Sequence, residues 1–315
     1  MTPDRGPGAG AGGESTRAGD IALVGRPNVG KSTLLNAFTE ERLSIVTPRA
    51  QTTRERVLGI YTNERAQMVF VDTPGLLEPS YLLQRAMVGE ALLAVSEADL
   101  VLLLLDGTRP DDLPPADVLA LLSSRGMDLF VAVNKVDAAS RSAVDELAAW
   151  SEGALGRAAW QISAEKGTGV AGLRDALEEA LPFSPFYYPA DDVAVQPVRF
   201  FVTELIRETV FEQYEEEIPY STVVRIEEFR EAAEPVYIRA TVYVERDSQK
   251  GIVLGRGGAA IKALGAAARS KVEAFLGHRV YLDLWVKVLP GWRRKRSALE
   301  YLGYRVPRDE GDAPG

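Results

Sequence analysis

The chain has 315 residues, 46% of them hydrophobic, with 45 acidic against 36 basic side chains and a net charge of −9. That length accommodates about two domains, each able to bury its own core. The absence of cysteine and the single histidine, His278, exclude a disulfide framework and a thiolate or zinc-type metal site, and no apolar run reaches the roughly 20 residues that span a bilayer.

The first 20 residues are rich in glycine and small side chains and lack the apolar stretch of a signal peptide, so residues 1–18 read as a disordered tail. Next comes a short apolar strand, Ile21-Ala22-Leu23-Val24, then Gly25-Arg26-Pro27-Asn28-Val29-Gly30-Lys31-Ser32, then a helical start at Thr33 to Phe38. Strand, G-x-x-x-x-G-K-S loop and helix together make a phosphate-binding loop. Its N–H groups and helix N-terminus converge on an anion, Lys31 reaches the outer phosphates, and Ser32 can ligate magnesium.

From Gly19 to about Leu181, strand-like runs (Val57 to Tyr61, Met68 to Val71, Leu100 to Leu105, Leu129 to Val133, Ala158 to Ile162) alternate with amphipathic helical segments. This alternation predicts an α/β domain with a mostly parallel sheet, whose ligands bind at the carboxyl ends of strands. Polar motifs stand at three more such ends. Asp72-Thr73-Pro74-Gly75 offers an aspartate for magnesium and a Gly75 N–H that senses a terminal phosphate. Asn134-Lys135-Val136-Asp137 offers a carboxylate that accepts guanine's N1 hydrogen and exocyclic amine, a donor pair absent from adenine. Ser163-Ala164-Glu165-Lys166 offers a backbone N–H for the guanine oxygen. Between helix and strand, Pro48 to Arg54 holds two threonines. Thr53 is the choice for completing the magnesium shell, with Thr52 next to it. Catalysis is thus expected from Lys31, Thr53 and Gly75, and metal ligation from Ser32, Thr53 and Asp72. The nucleotide is expected to meet residues 25–33, 72–75, Asn134, Lys135, Asp137, Ser163 and Ala164. Leu76 stands where a water-orienting glutamine would serve hydrolysis, so turnover should be slow. Asn28 is expected to help hold a monovalent cation, potassium above sodium.

The stretch Pro182 to Asp192 carries three prolines and aromatic anchors, and residues 183–195 read as a linker between a domain at 19–182 and a second at 196–304, with a second tail at 305–315. The second domain reads helix, strand, strand, helix–loop–helix, strand. Residues 204–234 hold ten Glu and three Arg, whereas residues 251–292 hold six basic and two acidic side chains, so the domain is polarised. Its basic half contains Gly255-Arg256-Gly257-Gly258, a GxxG loop between apolar helical stretches. In that setting it matches a type II KH module, an α+β fold that binds single-stranded nucleic acid. Arg256, Lys262, Arg269 and Lys271 are the candidates for phosphates. Ile252, Val253 and Ile261 either line the base groove or fill the core. The run Arg293-Arg294-Lys295-Arg296 after Trp292 reads as a further RNA-facing patch or a solvated basic helix.

In these motifs, with AQTTR at Ala50 to Arg54 and ERDSQKGIVLGRGG at Glu245 to Gly258, the chain resembles the Era family of bacterial GTPases from about Gly19 to Tyr304. The resemblance implies GTP and GDP as ligands and binding to the 3′ end of small-subunit ribosomal RNA. It also implies a part in 30S subunit assembly, and a cytoplasmic protein, monomeric, with loose association at the inner membrane face. Two other readings stay open: a passive RNA-binding protein whose guanine-nucleotide domain is structural, and a GTPase of tRNA modification.

Overall fold

A computed structural model describes residues 16–307 except 48, 50 and 125–127. The tail 1–15, Pro48, Ala50 and residues 308–315 therefore lie outside the described residues. The chain divides into two compact units between Val195 and Gln196, the stretch Ser80–Ala86 being grouped with the second.

The first unit is built on a six-stranded sheet in the order β2-β3-β1-β4-β5-β6. Its strands are β1 (Arg17–Gly25), β2 (Val57–Thr62), β3 (Ala66–Asp72), β4 (Leu100–Asp106), β5 (Asp128–Asn134) and β6 (Ala159–Gln161). All neighbours run parallel except the edge pair β2–β3. The helices α1 (Lys31–Thr39), α2 (Leu82–Glu97), α3 (Ala116–Ser124), α4 (Arg141–Leu155) and α5 (Val170–Ala180) alternate with them. β3 and β4 are buried at every position, which is why their sequences show unbroken apolar character rather than alternation. At full burial each Leu or Val contributes about 1.5–3 kcal/mol of hydrophobic stabilisation, before the entropy of ordering it is subtracted.

Two boundaries differ from those read from sequence. Arg17 and Ala18, assigned to the tail, belong to β1 and pair with Ala66 and Gln67. The proline-rich segment 183–195 is not a free linker, because the buried Gln67 of β3 binds it through both its amide oxygen and its amide nitrogen. Gln67 Oε1 accepts the N–H groups of Tyr187 (2.7 Å) and Tyr188 (2.9 Å), and its Nε2 donates to the Tyr188 carbonyl (2.9 Å). Further along, the Ile60 N–H donates to the Val193 carbonyl at 2.9 Å.

The second unit has α6 (Val198–Gln213), α7 (Ile218–Ser221), β7 (Val223–Arg230), β8 (Val236–Val244), α8 (Asp247–Leu254), α9 (Ala259–Leu276), β9 (Val280–Val288) and α10 (Arg296–Tyr301). Its sheet has the order β7-β8-β9, with β7–β8 antiparallel and β8–β9 parallel. The core joins Val202, Ile206 and Val210 of α6, Ile238, Ala240 and Val242 of β8, and Leu264, Ala268 and Val272 of α9. Among the described residues no helix is long and apolar enough to cross a membrane.

Candidate functional site: a phosphate cradle and a GxxG ledge

The carboxyl ends of β1, β3, β4 and β5 meet at a cavity of about 410 Å3. Its lining includes Pro27, Asn28, Gly30, Lys31, Ser32 and Thr33 of the loop after β1, Thr52 and Thr53, Thr73 and Gly75, and Lys135. Residues as far apart in the chain as Pro27 and Lys135 are thereby brought to one place, as the strand-end rule requires. The loop leaves β1 and returns as α1, with Asn28 and Gly30 in the left-handed region at φ 66° and 98°.

Lys31 is buried, and its ammonium donates to the carbonyls of Gly25 (3.2 Å) and Arg26 (3.0 Å). Burial lowers its pKa to about 8, partly offset by the nearby Asp72 carboxylate. Burial likewise pushes Asp72 above the usual carboxylate range, against the pull of Lys31 and its hydroxyl donors. Asp72 Oδ2 accepts from Ser32 Oγ (2.7 Å) and Thr53 Oγ1 (3.3 Å), and the two hydroxyls are 3.0 Å apart. Asp72 Oδ1 is buried with no hydrogen-bond partner. An orphaned buried carboxylate oxygen beside two hydroxyls is costly on its own and matches the oxygen donor set of a hard divalent cation. It is Thr53, rather than Thr52, that joins this cluster.

Several of the predicted residues also make contacts within the protein. The Asn134 amide ties two loops together: Nδ2 donates to the Val29 carbonyl (2.8 Å), and Oδ1 accepts the Ala164 N–H (2.9 Å), which leaves the second Nδ2 hydrogen for a base. It is a brace between two loops, and a Cβ on Gly30 would lie 2.2 Å from its Nδ2. Ala164's N–H is therefore used internally, and the Lys166 N–H is bonded to Ser163 Oγ (3.1 Å). Glu165 lines the cavity. The Thr73 hydroxyl donates to the Leu23 carbonyl at 2.7 Å. Arg26 turns its guanidinium to Asp112 (2.7 Å) and the Leu76 carbonyl (3.3 Å). Asp137 is exposed. Gly75 approaches so closely that a Cβ there would meet Pro27 at 2.7 Å. Leu76 is fully buried in the core.

Sequence reasoning missed Asp106, Arg109, Ile45, Val46, Thr47 and Gln51. Asp106 ends β4, is nearly buried, and accepts Lys135 Nζ (2.6 Å) together with the N–H (3.0 Å) and Oγ1 (2.6 Å) of Thr108. Burial works against its ionised form, but these bonds hold its carboxyl below the usual carboxylate range. The rule that found Asp72 and Asn134 at strand ends applied equally to Asp106. Arg109, Ile45, Val46, Thr47 and Gln51 line the cavity from loops without periodicity.

In the second unit, α8 and α9 are joined by the GxxG loop, where Gly255, Gly257 and Gly258 all have positive φ. A Cβ on Gly257 would meet nothing within 4 Å, so the backbone stands open. Arg256 and Lys262 are exposed at the loop, Arg269 is exposed further along α9, and Ile252 is 52% exposed. Ile261 is half-buried against the core. Two predicted contacts are corrected. Val253 is fully buried and belongs to the core. Lys271 is held by Glu208 (2.8 Å) and Glu212 (2.7 Å) of α6, so its charge is neutralised within the unit. The basic run also splits: Arg293 is bonded to Glu245 and Arg296 to the carbonyls of Val306 and Pro307, leaving Arg294 and Lys295 exposed. Trp292 is buried, its indole N–H donating to the Ser221 carbonyl at 2.9 Å.

Comparison with known proteins agrees with both halves. Residues 20–135 match a family model described as a 50S ribosome-binding GTPase, and residues 217–293 match a KH domain model. The chain is 40% identical over 291 residues to GTPase Era of Geobacter metallireducens, covering 91% of this chain and 98% of that one. It is 43% identical over 286 residues to GTPase Era of Thermotoga maritima, covering 89% and 95%. A tyrosine-to-alanine variant of Aquifex aeolicus Era bound to GDP and AlF4− superposes with a TM-score of 0.85 at 34% identity, covering 92% of this chain and 100% of that one. An Era in complex with MgGDPNP and nucleotides 1506–1542 of 16S ribosomal RNA gives a TM-score of 0.84 at 34% identity, with the same coverage.

Proposed function

Because this chain belongs to the Era family of GTPases, we propose that GTP hydrolysis in its first unit is a switch that sets the RNA affinity of its second. The RNA is the 3′ end of the small-subunit ribosomal RNA, and the biological use is assembly of the 30S subunit. The observation that carries this reading is the solved Era holding MgGDPNP and 16S nucleotides together, matched over 92% of this chain and hence over both units. The model whose description mentions the 50S particle reaches only residues 20–135, short of the KH unit, and so gives no reason to move the RNA target to the large subunit.

In this reading Lys31 and the backbone N–H groups of residues 28–33 hold the phosphates, while Asp137 selects guanine. Leaving either guanine donor unpaired costs on the order of 1–3 kcal/mol. Bound magnesium supplies neutralisation of the phosphate charge, and Ser32, Thr53 and Asp72 are the residues that would hold it. Thr53 and Gly75 report the terminal phosphate, Gly75 through its close contact with Pro27. Asn28, left-handed and lining the cavity, is assigned to a monovalent cation. Single-turnover rates in potassium should exceed those in sodium, and equal rates would remove that assignment. The switch itself is tested by filter binding of a 16S 3′-end fragment to the full chain with GDPNP, GDP or no nucleotide. Tight binding with GDPNP alone is expected. Equal binding in all three would favour a passive RNA-binding protein, a reading for which the buried Leu76 gives some ground.

A further inference from the structure

Hydrolysis of GTP develops negative charge around the terminal phosphate and on the bridging oxygen. In this chain the position after Asp72-Thr73-Pro74-Gly75 contributes nothing to that charge, because Leu76 lies in the core and carries no donor. The loop that follows β4 offers a group that does.

That loop is pinned at both ends. At its start Asp106 binds Lys135 on the base side of the cavity and Thr108 within the loop. The Arg109 N–H donates to the Asp106 carbonyl (2.9 Å), and the Asp112 N–H donates to the Arg109 carbonyl (3.0 Å). At its far end the Asp112 carboxylate takes Arg26 Nε of the phosphate loop at 2.7 Å. Between the pins stands Arg109, which lines the same cavity as Pro27, Lys31, Ser32 and Gly75. Its side chain is exposed, and among the described residues it has no ion pair or side-chain hydrogen bond. A guanidinium is always charged and presents a planar fork of donors that matches phosphate oxygens. A fixed backbone carrying an uncommitted guanidinium into a nucleotide cavity lowers the reorganisation cost at the moment of reaction.

We propose that Arg109 is a catalytic residue of this GTPase, acting within its own chain on the phosphoryl oxygens. Water oxygen forms a bond to the terminal phosphorus while the bond from that phosphorus to the bridging oxygen breaks. The bond's electron pair passes to the β-phosphate oxygen of the departing GDP, and the water's proton ends on the released inorganic phosphate. Arg109 gives up no proton; it donates hydrogen bonds to the oxygens on which charge accumulates.

The test compares Arg109→Ala and Arg109→Lys with the wild-type full chain in single-turnover GTP hydrolysis and in binding of GDP with and without AlF4−. Arg109→Ala should slow hydrolysis on the order of 10- to 100-fold, leave GDP affinity within about twofold, and lose the AlF4− enhancement of GDP binding by a factor similar to the rate loss. Arg109→Lys, which keeps charge without the fork, should fall between. An unchanged rate in Arg109→Ala would overturn the assignment. So would a rate loss matched by an equal loss of GDP affinity, since that describes ground-state binding alone.

Discussion

The two ligand-binding loops of this protein are both built on glycine between apolar elements, yet they differ in what surrounds the glycines. Around the phosphate loop the space is taken: a Cβ at Gly30 would lie 2.2 Å from Asn134, and one at Gly75, in the loop after β3, would lie 2.7 Å from Pro27. At the GxxG loop it is open, with nothing within 4 Å of a Cβ at Gly257. The first is a closed cradle whose loops lock one another, suited to a small ligand that must be held in one geometry for chemistry. The second is an open ledge, suited to a long polymer whose backbone passes over it. Damage to the cradle should therefore spread to neighbouring loops, while damage to the ledge should stay local.

The largest effect is expected from Gly30→Ala, which adds a side chain at φ 98° and displaces the Asn134 brace. Nucleotide binding measured by calorimetry should fall below detection, and near wild-type affinity would show that the loops are not interlocked. Asp137→Asn comes next. It should weaken GTP by about 1–3 kcal/mol and recover affinity for xanthosine triphosphate, whose base presents an acceptor where guanine presents an amine. The ledge is tested by Gly257→Asp, which should lower RNA affinity on the order of tenfold through repulsion of phosphates while leaving GTP hydrolysis unaffected. A parallel loss of hydrolysis would break the contrast. The smallest effect belongs to Lys271→Ala. Removing the ammonium takes the Lys271 ion pair from the buried Glu208 and should cost about 1 kcal/mol of stability in urea unfolding, reduced by the partial solvent access of the lysine. RNA affinity should not change.

The strands and the cradle's main residues were legible because unbroken apolar runs and fixed motif spacings are local signals. Met68 to Val71 and Leu100 to Leu105 announced β3 and β4, and the motifs placed Lys31, Ser32 and Asp72 together. What sequence did not disclose depends on partners distant in the chain. The brace made by the Asn134 amide is invisible in the sequence, because it depends on where Val29 and Ala164 lie. Lys271 reads as an RNA contact until Glu208 and Glu212 of α6 are seen beside it. The proline-rich stretch reads as a linker because its anchor, Gln67, lies 120 residues away from Tyr187. Arg109 gave no signal, since an arginine in an irregular loop is ordinarily solvated.

The central claim is that the cradle and the ledge are coupled, and coupling is reciprocal: a nucleotide that tightens RNA must itself be tightened by RNA to the same degree. The most direct measurement is the affinity of the full chain for GDPNP and for GDP, each with and without saturating 16S 3′-end fragment. The account predicts that RNA strengthens GDPNP binding by the factor by which GDPNP strengthens RNA binding, with no such gain for GDP. Affinities for both nucleotides that ignore the RNA would contradict it.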